Sequence, residues 1–201
     1  MSKKQILSKP KAAKVAISID PNALKKLKIS LGIIIAIFAF LLYAQSIAFD
    51  YAYDDHTVTK DNRIVKEGFA GIPTLLKTDY WYGYNREDLR GAIYRPVPLV
   101  LFALEWQLFP NNPNAFHFIN ILLNAVLCEL IFILLCEIFK KQNIIFPFVC
   151  ALLYTAHPIH TEVVDNIKSL DEISCFLFSS ISVLFILNGI TKFLMEGVLG
   201  C

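Results

Sequence analysis

Charge is scarce in this sequence, and what there is of it is clustered. Asp, Glu, Lys and Arg make up 18% of its 201 residues, against 56% hydrophobic. A soluble surface needs more charge, more evenly spread, so the composition excludes an ordinary soluble domain and points to an integral membrane protein. Positive charge in excess is lacking too. The formal net charge is +2, and Lys3, Lys4, Lys9, Lys11, Lys14, Lys25, Lys26 and Lys28 all precede the first apolar run. That leaves no nucleic-acid-binding surface. Paired cysteine spacings are missing. Cys128, Cys136, Cys150 and Cys175 lie in apolar runs, where they pack as small hydrophobes, and no CxxC suggests a disulfide framework or metal knuckle. There is no 34-residue repeat and no HExxH order.

Long apolar runs are what the chain does have. Residues 1–28 read as a lysine-rich tail held in the cytoplasm by the bias of positive charge, a retained anchor being favoured over a cleaved signal peptide. Spans are expected at 29–49, 115–139, 143–156 (short, and kinked near Pro147) and 173–194. Some 21 residues at about 1.5 Å each cover a hydrocarbon core of ~30 Å. A long external loop, 50–114, carries the apolar stretch Pro98–Phe109. Its length and its Glu105 fit an interfacial helix better than a span. With that segment outside, Lys140, Lys141 and Lys192 fall on the cytoplasmic side. The fold class expected is an all-α polytopic membrane bundle of about four spans.

This topology puts the stretch around Asp54-Asp55 and the connection His157–Glu172 on one face. Adjacent carboxylates just outside a span serve no anchoring purpose, and a general base acting at the bilayer surface would sit there. The connection holds His157, His160, Glu162, Lys168 and Asp171. The histidine spacing is open to three uses: hydrogen bonds at the end of a span, a metal, or contact with a phosphate or sugar. No complete metal-ligand set is read. Arg95 opens the interfacial helix, where a guanidinium fork can clamp a lipid phosphate. Trp81 lies in an aromatic cluster suited to an interfacial belt or to stacking on sugar faces. His117, Asn120 and Asn124 form a polar stripe that should face other helices, and Glu129 near mid-span needs a partner or a proton.

The ordered set Tyr53-Asp54-Asp55, Asp79-Tyr80-Trp81, Tyr94-Arg95-Pro96, His117 with Asn120, and His157-Pro158-Ile159-His160-Thr161-Glu162 resembles the membrane half of the transmembrane and tetratricopeptide-repeat proteins. These are GT-C-class glycosyltransferases related to protein O-mannosyltransferases. The resemblance runs from about Phe49 to Cys175. It implies transfer of a sugar, mannose in the first instance, from a polyprenyl- or dolichyl-phosphate donor to a protein serine or threonine hydroxyl. The reaction would take place at the outer or lumenal face of a bacterial inner membrane or the endoplasmic reticulum. It implies no resident cofactor. In this reading Asp55 is the base and Asp54 orients it. Arg95, His157, His160, Glu162 and Lys168 meet the donor phosphate, with Trp81, His117, Asn120 and Asp171 in support. Where the related enzymes carry an arginine before the acid matching Asp171, this chain has Lys168-Ser169-Leu170. Family members continue through many more spans and then helical repeats, so this is expected to be an N-terminal part. A glycan or lipid acceptor, a non-catalytic membrane scaffold and a zinc hydrolase are the rival readings.

Overall fold

The structure is a computed structural model. It describes residues 20–52, 54–84, 91 and 93–199, with side chains through residue 189. Tyr53, the tail 1–19, the side chain of Lys192 and Cys201 lie outside the described residues. Among those described, the regular structure is helical throughout.

The first helix, α1 (Pro21–Tyr43), starts ahead of the apolar run. The Asp20 side chain accepts from the Asn22 amide at 3.1 Å, and Pro21 occupies the first turn, where no amide hydrogen is needed. The helix tightens into a 3-10 turn, Ala44–Ala48, and ends at the extended Phe49. The segment that follows holds α2 (Asp55–Val58), α3 (Ile72–Leu75) and α4 (Pro96–Leu108). The central helix, α5 (Pro113–Ile138), is capped by Asn112. After it come α6 (Ile145–Thr155), α7 (His160–Val164) and α8 (Leu170–Leu199).

Three helical stretches are long and apolar enough to cross a bilayer: 21–48, 113–138 and 167–189. The third expected span, 143–156, is an 11-residue helix. At about 1.5 Å per residue it covers roughly half the hydrocarbon core. Pro147 lies in its first turn, where a missing amide hydrogen costs no intrahelical bond.

Helix α5 is the axis. Its Ala125, Cys128 and Phe132 pack on Ile35 and Ala39 of α1 and Ala151 of α6, while Leu127 and Ile131 meet Ile173 of α8. Outward-facing residues stay apolar and exposed, among them Ile33, Ile37 and Leu41 of α1, Leu122 and Val126 of α5, and Phe185 of α8. Such a surface suits lipid and not water. The mid-span carboxylate of Glu129 lies against Gly32; a β-carbon there would come within 3.1 Å of Glu129 Oε1. The glycine makes room for the acid.

The two ends of the bundle differ. At one end Glu137 joins Lys28 of α1 (3.9 Å) and Lys140 (2.9 Å). At the other, the described residues between 50 and 112 fold over the bundle on a second core. Tyr51, Val58, Val65, Leu75, Tyr80, Leu99, Phe102 and Phe116 are buried there with Ile167 and Leu170. The stretch expected as an interfacial helix is α4, and it packs on the 3-10 segment Val65–Gly71. Gly68 lies in the left-handed region (φ 60°), and its missing side chain leaves space for the Gln107 amide.

Candidate functional site

Asp55 is fully buried. Its Oδ2 accepts the Ala52 amide at 2.8 Å, and its own amide donates to the Ala52 carbonyl at 2.9 Å, closing the turn that starts α2. Its Oδ1 accepts the Lys168 amide at 2.8 Å, from 113 residues along the chain. Burial pushes the Asp55 carboxyl above the usual carboxylate range, and the Lys168 and Ala52 amides pull it partly back. Asp54, beside it, has a side chain 45% exposed and pairs with the Lys168 ammonium at 3.1 Å. One residue of the return connection therefore holds both acids, by its backbone and by its side chain.

Asn166 shapes that connection: its side chain accepts the Lys168 amide at 3.1 Å. Asn120 of α5 donates to the carbonyls of Asn166 and Ile167 at 3.0 and 3.2 Å. His117, one turn earlier, is buried with Nε2 3.5 Å from the Asp50 carbonyl, and its ring meets Phe49 edge-on. Ser46, at the end of the first span, hydrogen-bonds to Asp165. These contacts fasten the carboxylate loop to the bundle.

A second ion pair stands nearby. Arg95 Nη1 lies 2.9 Å from Asp171 Oδ2, and 57% of the arginine side chain is exposed. Tyr80 is buried, and its hydroxyl has no hydrogen-bond partner among the described residues. Burial raises its phenol well above the ordinary range. Trp81, half-buried, packs edge-on against the Tyr80 ring at 5.0 Å, and its backbone amide donates to Asp79 Oδ1 at 3.0 Å. Below Arg95 a cleft of about 710 Å³ runs between the first turn of α4 and the face of α8, with Pro98, Cys175, Phe176 and Phe178 among its walls.

Asp54, Asp55, Lys168, Arg95, Asp171, Trp81, His117 and Asn120 are thus gathered at one end. His157, His160 and Glu162 lie on the connection that leads to Lys168, and their side chains make other contacts. His160 stacks on Tyr154 at 4.4 Å and meets His157 at 6.2 Å, while Glu162 is exposed in the first turn of α7. Among the described residues, neither histidine bonds to Asp54, Asp55 or Lys168. After α6 the chain turns into α7, whose Val164 packs with Tyr43 and whose His160 stacks on Tyr154. No group of three His, Cys, Asp or Glu that could hold a metal occurs among the described residues.

Sequence reasoning gave no site role to Tyr80, Asp165, Ser46 or Asn166. Tyr80, Tyr82 and Tyr84 alternate in a turn-rich stretch, so nothing in their spacing says which one is buried. Asp165 and Asn166 stand beside Lys168, and that proximity was the available signal.

No family model matches the chain, and no solved structure matches it. Among curated proteins, the Homo sapiens protein O-mannosyl-transferase TMTC1 is 33% identical over 141 residues, 69% of this chain and 16% of that protein. The Homo sapiens protein O-mannosyl-transferase TMTC3 is 27% identical over 157 residues, 77% of this chain and 16% of that protein. The Caenorhabditis elegans protein O-mannosyl-transferase F38B6.6 is 29% identical over 140 residues, 68% of this chain and 20% of that protein. The chain spans about a sixth of the length of the first two.

Proposed function

We propose, on the premise that this chain is related to the TMTC protein O-mannosyl-transferases, that it supplies the carboxylate end of a membrane-embedded sugar transferase. The donor is a polyprenyl-phosphate sugar, mannose in the first instance. The acceptor is a serine or threonine hydroxyl of a protein. The membrane is the endoplasmic reticulum, because the matched relatives come from animals, and the loop end faces its lumen.

One observation carries this reading. The Arg95–Asp171 pair lines an apolar cleft between α4 and α8 walled by Pro98, Phe176 and Phe178, and the Asp54–Lys168 pair belongs to the same loop end of the bundle. A polyprenyl phosphate has that shape: an apolar chain for the cleft and a charged head for Arg95. In the reaction the acceptor oxygen attacks the sugar C1 and the bond from C1 to the phosphate oxygen breaks. The hydroxyl proton passes to a carboxylate, and the phosphate leaves with the bonding pair, met by the guanidinium fork. The attack inverts the configuration at C1.

The geometry favours exchanging the roles first given to the two acids. Asp55 spends both carboxylate oxygens on backbone amides and has no exposure. Asp54 is open to solvent and steered by the Lys168 ammonium. Asp54 is the better base, and Asp55 the tie that positions it.

The test reconstitutes the protein with polyprenyl-phosphate-mannose and a serine- and threonine-rich peptide. Transfer that is lost in Asp54→Asn while the protein stays folded supports the reading. Equal transfer by wild type and Asp54→Asn sinks the base assignment. Donor binding is read separately, since exposed Cys175 lines the cleft. Polyprenyl phosphate should slow its alkylation by a maleimide, and an unchanged rate would remove the cleft from the donor site.

A further inference from the structure

At the opposite end of the bundle, the early turns of α1, the C-terminus of α5 and the start of α6 enclose a recess of about 110 Å³. Lys28, Lys140 and Gln142 line its polar side, and Leu24, Phe139 and Pro147 its apolar side. The Glu137 carboxylate lies 2.9 Å from the Lys140 ammonium and 3.9 Å from that of Lys28. The Glu137 carboxylate is thus shared by the two ammonium groups. Lys25, Lys26 and Lys141 are exposed around it. The two lysine side chains are 39% and 46% exposed, so a ligand can reach both.

Depth narrows the choice of ligand. Lys28 is the last residue before the apolar run of α1, and Lys140 follows the last turn of α5. The recess therefore lies where hydrocarbon gives way to headgroups. Exposed Phe139, Ile145 and Phe146 flank it and offer acyl chains an apolar rim. Two cations and an amide at headgroup level, above an apolar rim, match the phosphate of a negatively charged phospholipid.

We propose that this recess binds the headgroup of an anionic phospholipid. Lys28 and Lys140 hold the phosphate, and the Gln142 amide adds a neutral donor. Glu137 keeps the two ammonium groups close together before lipid arrives and lowers their combined pull. The site is independent of sugar transfer and separate from the donor cleft.

The full chain in nonionic detergent, titrated with short-chain phosphatidylserine, phosphatidylcholine or inorganic phosphate, provides the test through its unfolding midpoint. Phosphatidylserine should raise the midpoint at concentrations where phosphatidylcholine does not. Replacing both lysines (Lys28→Gln with Lys140→Gln) should weaken the apparent affinity about ten-fold. Glu137→Gln should strengthen it, an outcome that damaged folding would not give. Lys25→Gln with Lys26→Gln removes the same charge outside the recess and should change affinity less than about two-fold. Equal losses in the two double variants would reduce the effect to diffuse attraction and overturn the proposal. A midpoint shift of the same size with inorganic phosphate, or a weaker Glu137→Gln, would overturn it as well.

Discussion

The two ends of this bundle use charge in opposite ways. At the lysine end, Glu137, Lys28 and Lys140 lie close to the surface and keep much of their hydration. At the loop end, acids are buried or half-buried, and they bond to backbone contributed by segments far apart in sequence. Exposed pairs of the first kind contribute about 0–1 kcal/mol each, because water and salt screen them. A buried carboxylate bonded to amides is different. Removing it strands donors that water cannot reach. The first arrangement tolerates change and suits orientation and lipid contact. The second fixes one geometry, which chemistry on a bound substrate requires.

Four experiments probe that contrast, in falling order of effect. The largest concerns Glu105 of α4, buried in the loop-end core with Oε2 unpartnered and pushed by burial up to about 8. Since the folded value lies above the unfolded one, its stabilising effect is complete below about pH 4.5 and is lost as pH rises toward 8. Wild type should lose on the order of 4 kcal/mol over that window from this group. Glu105→Gln should flatten the profile and be the more stable protein at pH 9. Melting curves from pH 5 to 9 decide it, and parallel profiles would show that the acid is hydrated after all.

Next comes Asp55→Asn, which sets an amide NH₂ against a backbone donor and should cost about 3 kcal/mol. Chemical denaturation in detergent measures this. A loss under 1 kcal/mol would mean that the loop end is held no more tightly than the lysine end. Asp54→Asn should reverse the pattern, with transfer down at least ~100-fold and stability changed by under about 1 kcal/mol. Comparing turnover with melting temperature in one preparation separates the two acids. The smallest effect belongs to Glu137→Gln. It should change stability by about 0–1 kcal/mol, and that difference should vanish in high salt.

The bundle was largely legible from sequence because hydrophobic run length reports burial in lipid directly. The runs over Pro113–Ile138 and Leu170–Leu199 announce themselves, and proline brackets and short length set α4 apart from a span. The short segment at 145–155 was legible too, its bounds falling within the apolar run at 143–156. In the site, the placement of Asp54 and Asp55 followed from their position just after a span. Which acid is buried depends on Lys168, far along the chain, and no local pattern carries that. The histidines of His157-Pro158-Ile159-His160 stood out as chemistry-bearing residues. The His160 ring packs on Tyr154 and meets that of His157, contacts that no local pattern announces.

The tie between Asp55 and the Lys168 amide also sets a timetable for synthesis. The acid leaves the ribosome 113 residues ahead of the amide that receives it. At about 5–20 residues per second, that gap lasts roughly 6–23 s. Through this interval the first two long helices can enter the bilayer and pair, while the Asp54-Asp55 turn waits without its clasp. The order of manufacture thus keeps the pair of acids unassembled until the start of α8 has been made.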